Sequence, residues 1–250
     1  MKKRKLFYTV FISSILTLVF SVQAFATTTT SNHTALTQQT IDNTLEKAKS
    51  TTSSSETLKK LNEALANKKV VNDPKVSATK SLTSQTSSLT AISGGTYPTR
   101  KGVILVTDDK YSGIIPLGHG AIVYSASEVV EALNTGVVIG KNNWNTTRNS
   151  CAAGTVTSTT VDQDAAAAEW CKSKVGTPYN YDYYNMSTRS KFYCSQLVWA
   201  SFKDNYGIDL NTDSYDISTF GYTIASAIHP TELLTNDKVV VTYRNNWDVN

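Results

Sequence analysis

The stretch KFYCSQLVWASF, residues 191–202, places one cysteine at the front of an apolar-faced helix. A thiol in a first helical turn feels the positive end of the helix dipole and unpaired backbone N–H groups, both of which favour the thiolate. Cys194 is therefore a candidate nucleophile, with a buried hydrophobe, half of a disulfide and a metal ligand as the alternatives. A nucleophile needs a base. Of the three histidines, His33 lies in a low-complexity arm, and His229, in IHPTELL, precedes a proline in a loop entering a helical turn, the setting of a surface or packing residue. His119, in PLGHGAIVYS, stands between two glycines at the mouth of a strand-like run, where a ring can face a groove clear of bulky neighbours. Together a thiol and an imidazole offer nucleophilic attack on a carbonyl, with the ring carrying the proton.

The other cysteines are Cys151 and Cys171, which makes three in all. An odd number in an exported chain points to one free, reactive thiol. Cys151 and Cys171 either pair or are simply buried, and Cys171, beside Trp170 inside a helical pattern, has the setting of a structural residue. No CxxC occurs, nor a Cys/His pair at zinc spacing, so no metal site and no cofactor are expected.

The elements that must position these groups follow from local pattern. GVILVTDD (102–109), HGAIVYS (119–125) and EVVEAL (128–133) are β-rich runs between turn residues that form an antiparallel meander, and GVVIG (136–140) and DKVVVTYR (237–244) are the other strands, the last returning to the sheet. VDQDAAAAEWCKSKVG starts acidic, ends basic and stops at Gly176; a second helix runs from Cys194 to about Tyr206 with Leu197, Val198 and Phe202 on one face and Gly207 as its stop. The fold class is α+β, an antiparallel sheet packed against helices.

Residues 1–26 carry a basic start (Lys2, Lys3, Arg4, Lys5), an apolar run to Val22 and the small-residue site Ala24-Phe25-Ala26, the layout of a cleaved signal peptide. The alternative, an uncleaved anchor, is disfavoured by Thr9, Ser13, Ser14 and Thr17, which interrupt a run shorter than the roughly 20 apolar residues a bilayer requires. The formal charge of +4 falls to near zero without those four basic residues, so a nucleic-acid partner is not expected, and neither is a stable membrane anchor after cleavage. The expected location is secreted, extracellular or wall-associated. Residues 27–94 are rich in Ser and Thr and are expected to be a spacer. Two short helical segments, 36–49 and 56–69, either extend it or pair as a small hairpin. From Gly95 to Asn250 the composition becomes that of one globular domain.

GVILVT and GHGAIVYSASEVVEAL around the histidine, VGTPYNYDYY ahead of the cysteine, YCSQLVWASF with GIDL, and HPTELL near the end together resemble the permuted papain-like cysteine hydrolases of the NlpC-type superfamily. The likeness is to the YiiX/YebB-like group, which also holds relatives of lecithin:retinol acyltransferase. It covers roughly residues 95–241, with the histidine strand before the cysteine helix, the mark of circular permutation. The resemblance implies Cys194 as nucleophile, His119 as general base and Glu131 as the residue that orients the ring. Glu131 shares a face with His119 only if the turn at Ser125 to Ser127 has an odd register; otherwise Asn134 takes its place. It also implies an oxyanion or substrate-binding role for Tyr179 and Tyr193, with Tyr181, Tyr183 and Tyr184 close by. Gln196 stands where many members have Glu, a difference that touches no catalytic role apparent in the sequence. The implied function is hydrolysis of amide bonds, with peptidoglycan or other cell-wall peptides as the partner substrate. A lipid acyl hydrolase or acyltransferase and an inactive wall-binding module are the alternatives.

Overall fold

In the computed structural model the described residues are 39, 42, 43, 46, 55–76, 93–108, 118–219 and 222–247, which fall within one compact unit spanning 35–250. The expected leader, His33 and most of the first arm segment lie outside them. Among the described residues the main sheet contains β1 (Gly94–Gly95), β2 (Ile104–Thr107), β3 (His119–Val123), β4 (Glu128–Leu133), β5 (Gly136–Lys141), β6 (Cys151–Val156) and β9 (Val239–Asn245). Their order is β1-β9-β6-β2-β3-β4-β5, with every neighbouring pair antiparallel. β7 (Ile217–Thr219) and β8 (Tyr222–Ala225) form a separate two-stranded ribbon. The helices are α1 (Ser55–Asn67), α2 (Trp144–Thr147), α3 (Val161–Lys172), α4 (Cys194–Tyr206) and α5 (Glu232–Thr235).

Alternation along the strands divides the core in two, because successive side chains point to opposite faces. Ile104, Val106, Ile122, Val130 and Ala152 meet Ala167 and Ala168 of α3 and Leu197, Val198 and Phe202 of α4. Val103, Leu105, Ala121, Val123, Val129 and Ala153 form a smaller cluster closed by Trp144. The meander β2 to β5 and the returning last strand stand where the hydrophobic pattern places them. Both long helices begin and end on their expected signals. Thr160 and Gln163 cap α3 reciprocally, and Gly207, at φ 67°, ends α4 in the left-handed region with its N–H directed to Lys203 and Phe202 carbonyls.

Two features depart from the sequence reading. β6, central and buried along its whole length, reads CAAGTV, and its Ala and Gly residues carry little β signal. It is a strand because β2 and β9 hydrogen-bond it from both sides. The second departure is the boundary at Gly95, which divides residues that fold together. In α1, Leu61 and Leu65 are buried, and Leu65 belongs to the main core. The Arg244 guanidinium donates to the carbonyls of Leu65 (2.7 Å) and Lys68 (3.0 Å), so the end of the helix is tied to β9. Val71 N–H donates to Val241 O at 2.9 Å.

The chain after α1 is fastened by charge. Asp73 pairs with Arg100 at 2.8 Å, while Lys75 and Arg100 both reach the fully buried Asp164 at 2.7 Å. Thr155 and Thr159 hydroxyls complete the shell of Asp164. A buried carboxylate persists only with such partners, and removing one from a buried pair typically costs about 3–5 kcal/mol. The segment from Ser55 to Val76 is therefore part of the fold. A mean composition poor in apolar residues hides this, since two well-placed leucines and a few ion pairs do the anchoring.

Leu65→Ala should destabilise the protein by about 2–5 kcal/mol in chemical denaturation, the range for emptying a buried leucine site. Lys59→Ala, on the exposed side of the same helix, should stay within about 0.5 kcal/mol of wild type. A Leu65→Ala protein as stable as wild type would place α1 outside the cooperative unit.

Candidate active site

The first turn of α4 is brought against the start of β3. A Cβ at Gly120 would lie 3.8 Å from Ser195 Cα, an ordinary contact, and 3.3 Å from Leu233 Cδ1, so helix and strand pack closely there. The result is contact between Cys194 and His119, whose side chains hydrogen-bond each other. Backbone N–H groups of Gly120 and Ser195 also point to the sulfur. On its other side the ring presents Nε2 to Glu131 Oε2 at 2.7 Å, which leaves Nδ1 for the thiol. All three residues are buried.

Glu131 reaches the ring because of strand register. Tyr124 N–H donates to Glu128 O at 2.9 Å, so residues 125–127 form a three-residue turn, and Ala121 stands opposite Glu131. His119 and Glu131 are thus diagonal neighbours on one face. The odd register is the one present. Asn134 sits exposed in the turn between β4 and β5, where its carbonyl accepts from Tyr181. A residue the sequence did not single out gives Glu131 its room. Gly140 lies opposite Val129 on β5, and a Cβ there would come within 1.9 Å of Glu131 Oε1. The signal available was the glycine that closes GVVIG two residues from the partner of Glu131.

Burial opposes charge on both members of the pair and is the largest single influence on each. It is overcome in both. Hydrogen bonds from Cys194 and Glu131, with their charges, raise His119 to about 9. For Cys194, the hydrogen bond and charge of His119, then the N–H groups of Gly120 and Ser195, take the thiol below its ordinary 9.0. The favoured state is thiolate beside imidazolium, held from the lowered thiol value up to about pH 9. Trp144 packs beside the ring of His119. Its buried ring lies 5.4 Å from that of His119, and its backbone N–H is fixed by the Tyr97 hydroxyl at 2.9 Å.

Tyr179 and Tyr183 both sense the charge of the thiol, and burial pushes each phenol up, keeping it a protonated donor. Tyr181, 60% exposed, stacks edge-on to Tyr179 at 4.9 Å. Tyr193, the other tyrosine expected at the site, also feels the charge of the thiol and serves as an anchor. Its nearly buried oxygen accepts from Ile228 N–H at 3.2 Å, tying the chain before α5 to the start of α4. His229 is no surface residue: its buried ring stacks on Tyr215 at 5.0 Å and its Nδ1 accepts from Thr231 N–H. Cys151 and Cys171 are buried and unbonded to each other, and burial drives the Cys171 thiol up to about 12. Among the described residues no three His, Cys, Asp or Glu side chains gather as a metal site.

At about pH 6, iodoacetamide should label Cys194 ahead of Cys171, because only the former holds appreciable thiolate there. His119→Ala should move the onset of Cys194 labelling up toward the ordinary thiol value of 9.0. Mass spectrometry of the labelled peptides reads both effects, and equal rates for the two cysteines in wild type would contradict the ion pair.

Comparison with known proteins bears on the family. A relative in Bacillus subtilis (strain 168), the uncharacterized protein YycO, is 28% identical over 155 residues. That match covers 58% of this chain and 62% of YycO, so it spans less than two thirds of the relative's length. A solved structure, of the metalloprotein YiiX from Escherichia coli O157:H7, aligns with 60% of this chain and 99% of its own at a TM-score of 0.46 and 15% identity. Residues 102–229, which contain Cys194, His119 and Glu131, match the family model described as permuted papain-like amidase enzyme, YaeF/YiiX, C92 family. The chain belongs to this family of permuted papain-like amidases.

Proposed function

We propose that the protein is a cysteine amidase whose nucleophile is Cys194. The observation that carries the reading is the buried chain of contacts from Cys194 to His119 to Glu131, with 2.7 Å between the ring and the carboxylate. The thiolate attacks the carbonyl carbon of a substrate amide, and the C=O electrons move onto oxygen. Imidazolium then gives its proton to the amide nitrogen, the C–N bond breaks, and an amine leaves with a thioester on Cys194. His119, now neutral, takes a proton from water as the water attacks the thioester, which returns the thiolate and releases the acid. Glu131 holds the ring in the tautomer and angle both steps need.

The oxyanion is met by N–H groups at the start of α4 and by the Tyr179 phenol, which its burial keeps protonated and able to donate. One such donor is typically worth about 3 kcal/mol of barrier. The chemistry of this pair needs no cofactor.

The substrate class follows from place. A leader-like start over residues 1–26 and a Ser/Thr-rich stretch after it are the sequence of a chain sent across the membrane toward the wall. Amides of peptidoglycan stem or bridge peptides are the substrates such a protein meets first, and secretion to the wall is part of the proposal.

Wall fragments incubated with the protein should yield new amines, while a short-chain ester should yield little acid. Free acid from the ester with no amine from the wall would turn the assignment to lipid chemistry. Cys194→Ala, His119→Ala and the double variant should fall to a similar residual rate, because neither residue acts without the other. Glu131→Gln should be milder. Gly140→Ala, which displaces the Glu131 carboxylate, should lose up to about a hundredfold in turnover, the cost of misplacing a catalytic group by about 1 Å. A folded His229→Ala protein that is inactive, beside an active His119→Ala, would overturn the assignment of the base.

A further inference from the structure

Gln196, two residues after the nucleophile, is fully buried in the first turn of α4 and plays no part in the chemistry above. Its carboxamide is nonetheless used at both ends. Oε1 accepts from Tyr193 N–H at 3.2 Å and from Asn180 Nδ2 at 2.9 Å. Nε2 faces the carbonyl oxygens of Asn185 (3.3 Å), Met186 (3.3 Å) and Thr188 (3.1 Å). Asn180 doubles the tie, donating also to Asn185 O at 3.2 Å and accepting from Asp182 N–H at 3.1 Å.

Apart from Tyr193, these partners lie between Pro178 and Ser190, a stretch without helix and with only isolated bridges at Tyr179 and Asn185. Its inward carbonyls have no ladder to satisfy them, so side chains must. The same stretch carries Tyr179 and Tyr183, two of the phenols that sense the thiol.

We infer that Gln196 is a positioning residue for the thiol site: its carboxamide holds the 178–190 loop so that Tyr179 and Tyr183 stand beside Cys194. Against the three carbonyls that face Nε2 in this chain, an amide fits where an ionised carboxylate does not. A neutral amide offers two donors and an acceptor, whereas an ionised carboxylate only accepts. Glutamate at this position would keep the contacts of Oε1 and turn a bare, charged oxygen on three carbonyls. Burial would favour its neutral form, which regains one donor as pH falls. The turnover arm of the test rests on the amidase reading; the loop arm does not.

The experiment compares wild type, Gln196→Glu and Gln196→Met as full chains. Three quantities are measured: amide hydrogen exchange in peptides from 178–190, alkylation of Cys194 by iodoacetamide, and amine release from purified wall fragments. At about pH 8 Gln196→Glu should exchange faster in the loop and turn over at least about tenfold more slowly than wild type, and the turnover ratio should recover toward about pH 5 as the carboxyl protonates. Gln196→Met should be impaired to the same degree at both pH values. Cys194 alkylation should stay within about threefold of wild type in both variants, since the nucleophile and its base are untouched.

Wild-type exchange in the loop for either variant at pH 8 overturns the inference, as does alkylation falling in step with turnover, which would make Gln196 a support of the nucleophile itself. If Gln196→Glu does not fold at pH 8, the uncharged Gln196→Met decides by the same criteria. Absence of amine release in wild type counts against wall amides as substrate, while exchange and alkylation still decide the role of Gln196.

Discussion

The hydrogen-bonded charge pair of Cys194 and His119 is the interaction to which the site is built. Each group alone would lose its charge on burial, because an apolar surround disfavours the ionised form. Together each supplies the counter-ion of the other, and the balance tips toward thiolate and imidazolium. That condition dictates what stands around them. A helix start and the start of β3 bring N–H groups to the sulfur, Glu131 supports the far side of the ring, and Gly140 leaves space for that carboxylate. Trp144, itself buried, packs its ring beside that of His119.

A pair so dependent on distance needs a scaffold that does not shift, and the structure supplies anchors remote from the sulfur. Ser195 donates to Ile228 O at 2.7 Å and Tyr193 accepts from Ile228 N–H, so the chain before α5 is fixed to the start of α4. Buried Glu232 accepts from the N–H groups of His229, Thr212 and Ser214, which fastens the loop after α4 to the same place. On the other side of the domain Asp164 gathers Lys75 and Arg100. These are fully partnered buried acids, the form in which such groups rigidify a fold.

How much of this can be read without coordinates differs by kind of feature. The meander, the cysteine helix and its glycine stop were legible because period-two and helical patterns coincide there with clear turn and cap residues. Local setting offered Cys194 and His119 as candidates and the resemblance assigned them as a pair, whereas Glu131 also required the parity of one turn, which short sequence does not determine. β6 was hidden because Ala and Gly make a strand only through their neighbours. α1 was hidden because two leucines in a polar stretch carry weak signal, and their anchoring partners, Arg244 and Asp164, lie far along the chain. Gln196 and Gly140 were invisible as functional positions, since their importance lies in five hydrogen-bond contacts and in one missing Cβ.

The central claim is that the thiol and the ring share charge at rest. Ultraviolet titration of thiolate absorbance, taken as the difference between wild type and Cys194→Ser, measures this directly. The account predicts a thiolate signal that appears well below the ordinary 9.0 and moves up toward that value in His119→Ala. A Cys194 signal that rises only near 9.0 in wild type, or that His119→Ala leaves unmoved, would contradict it.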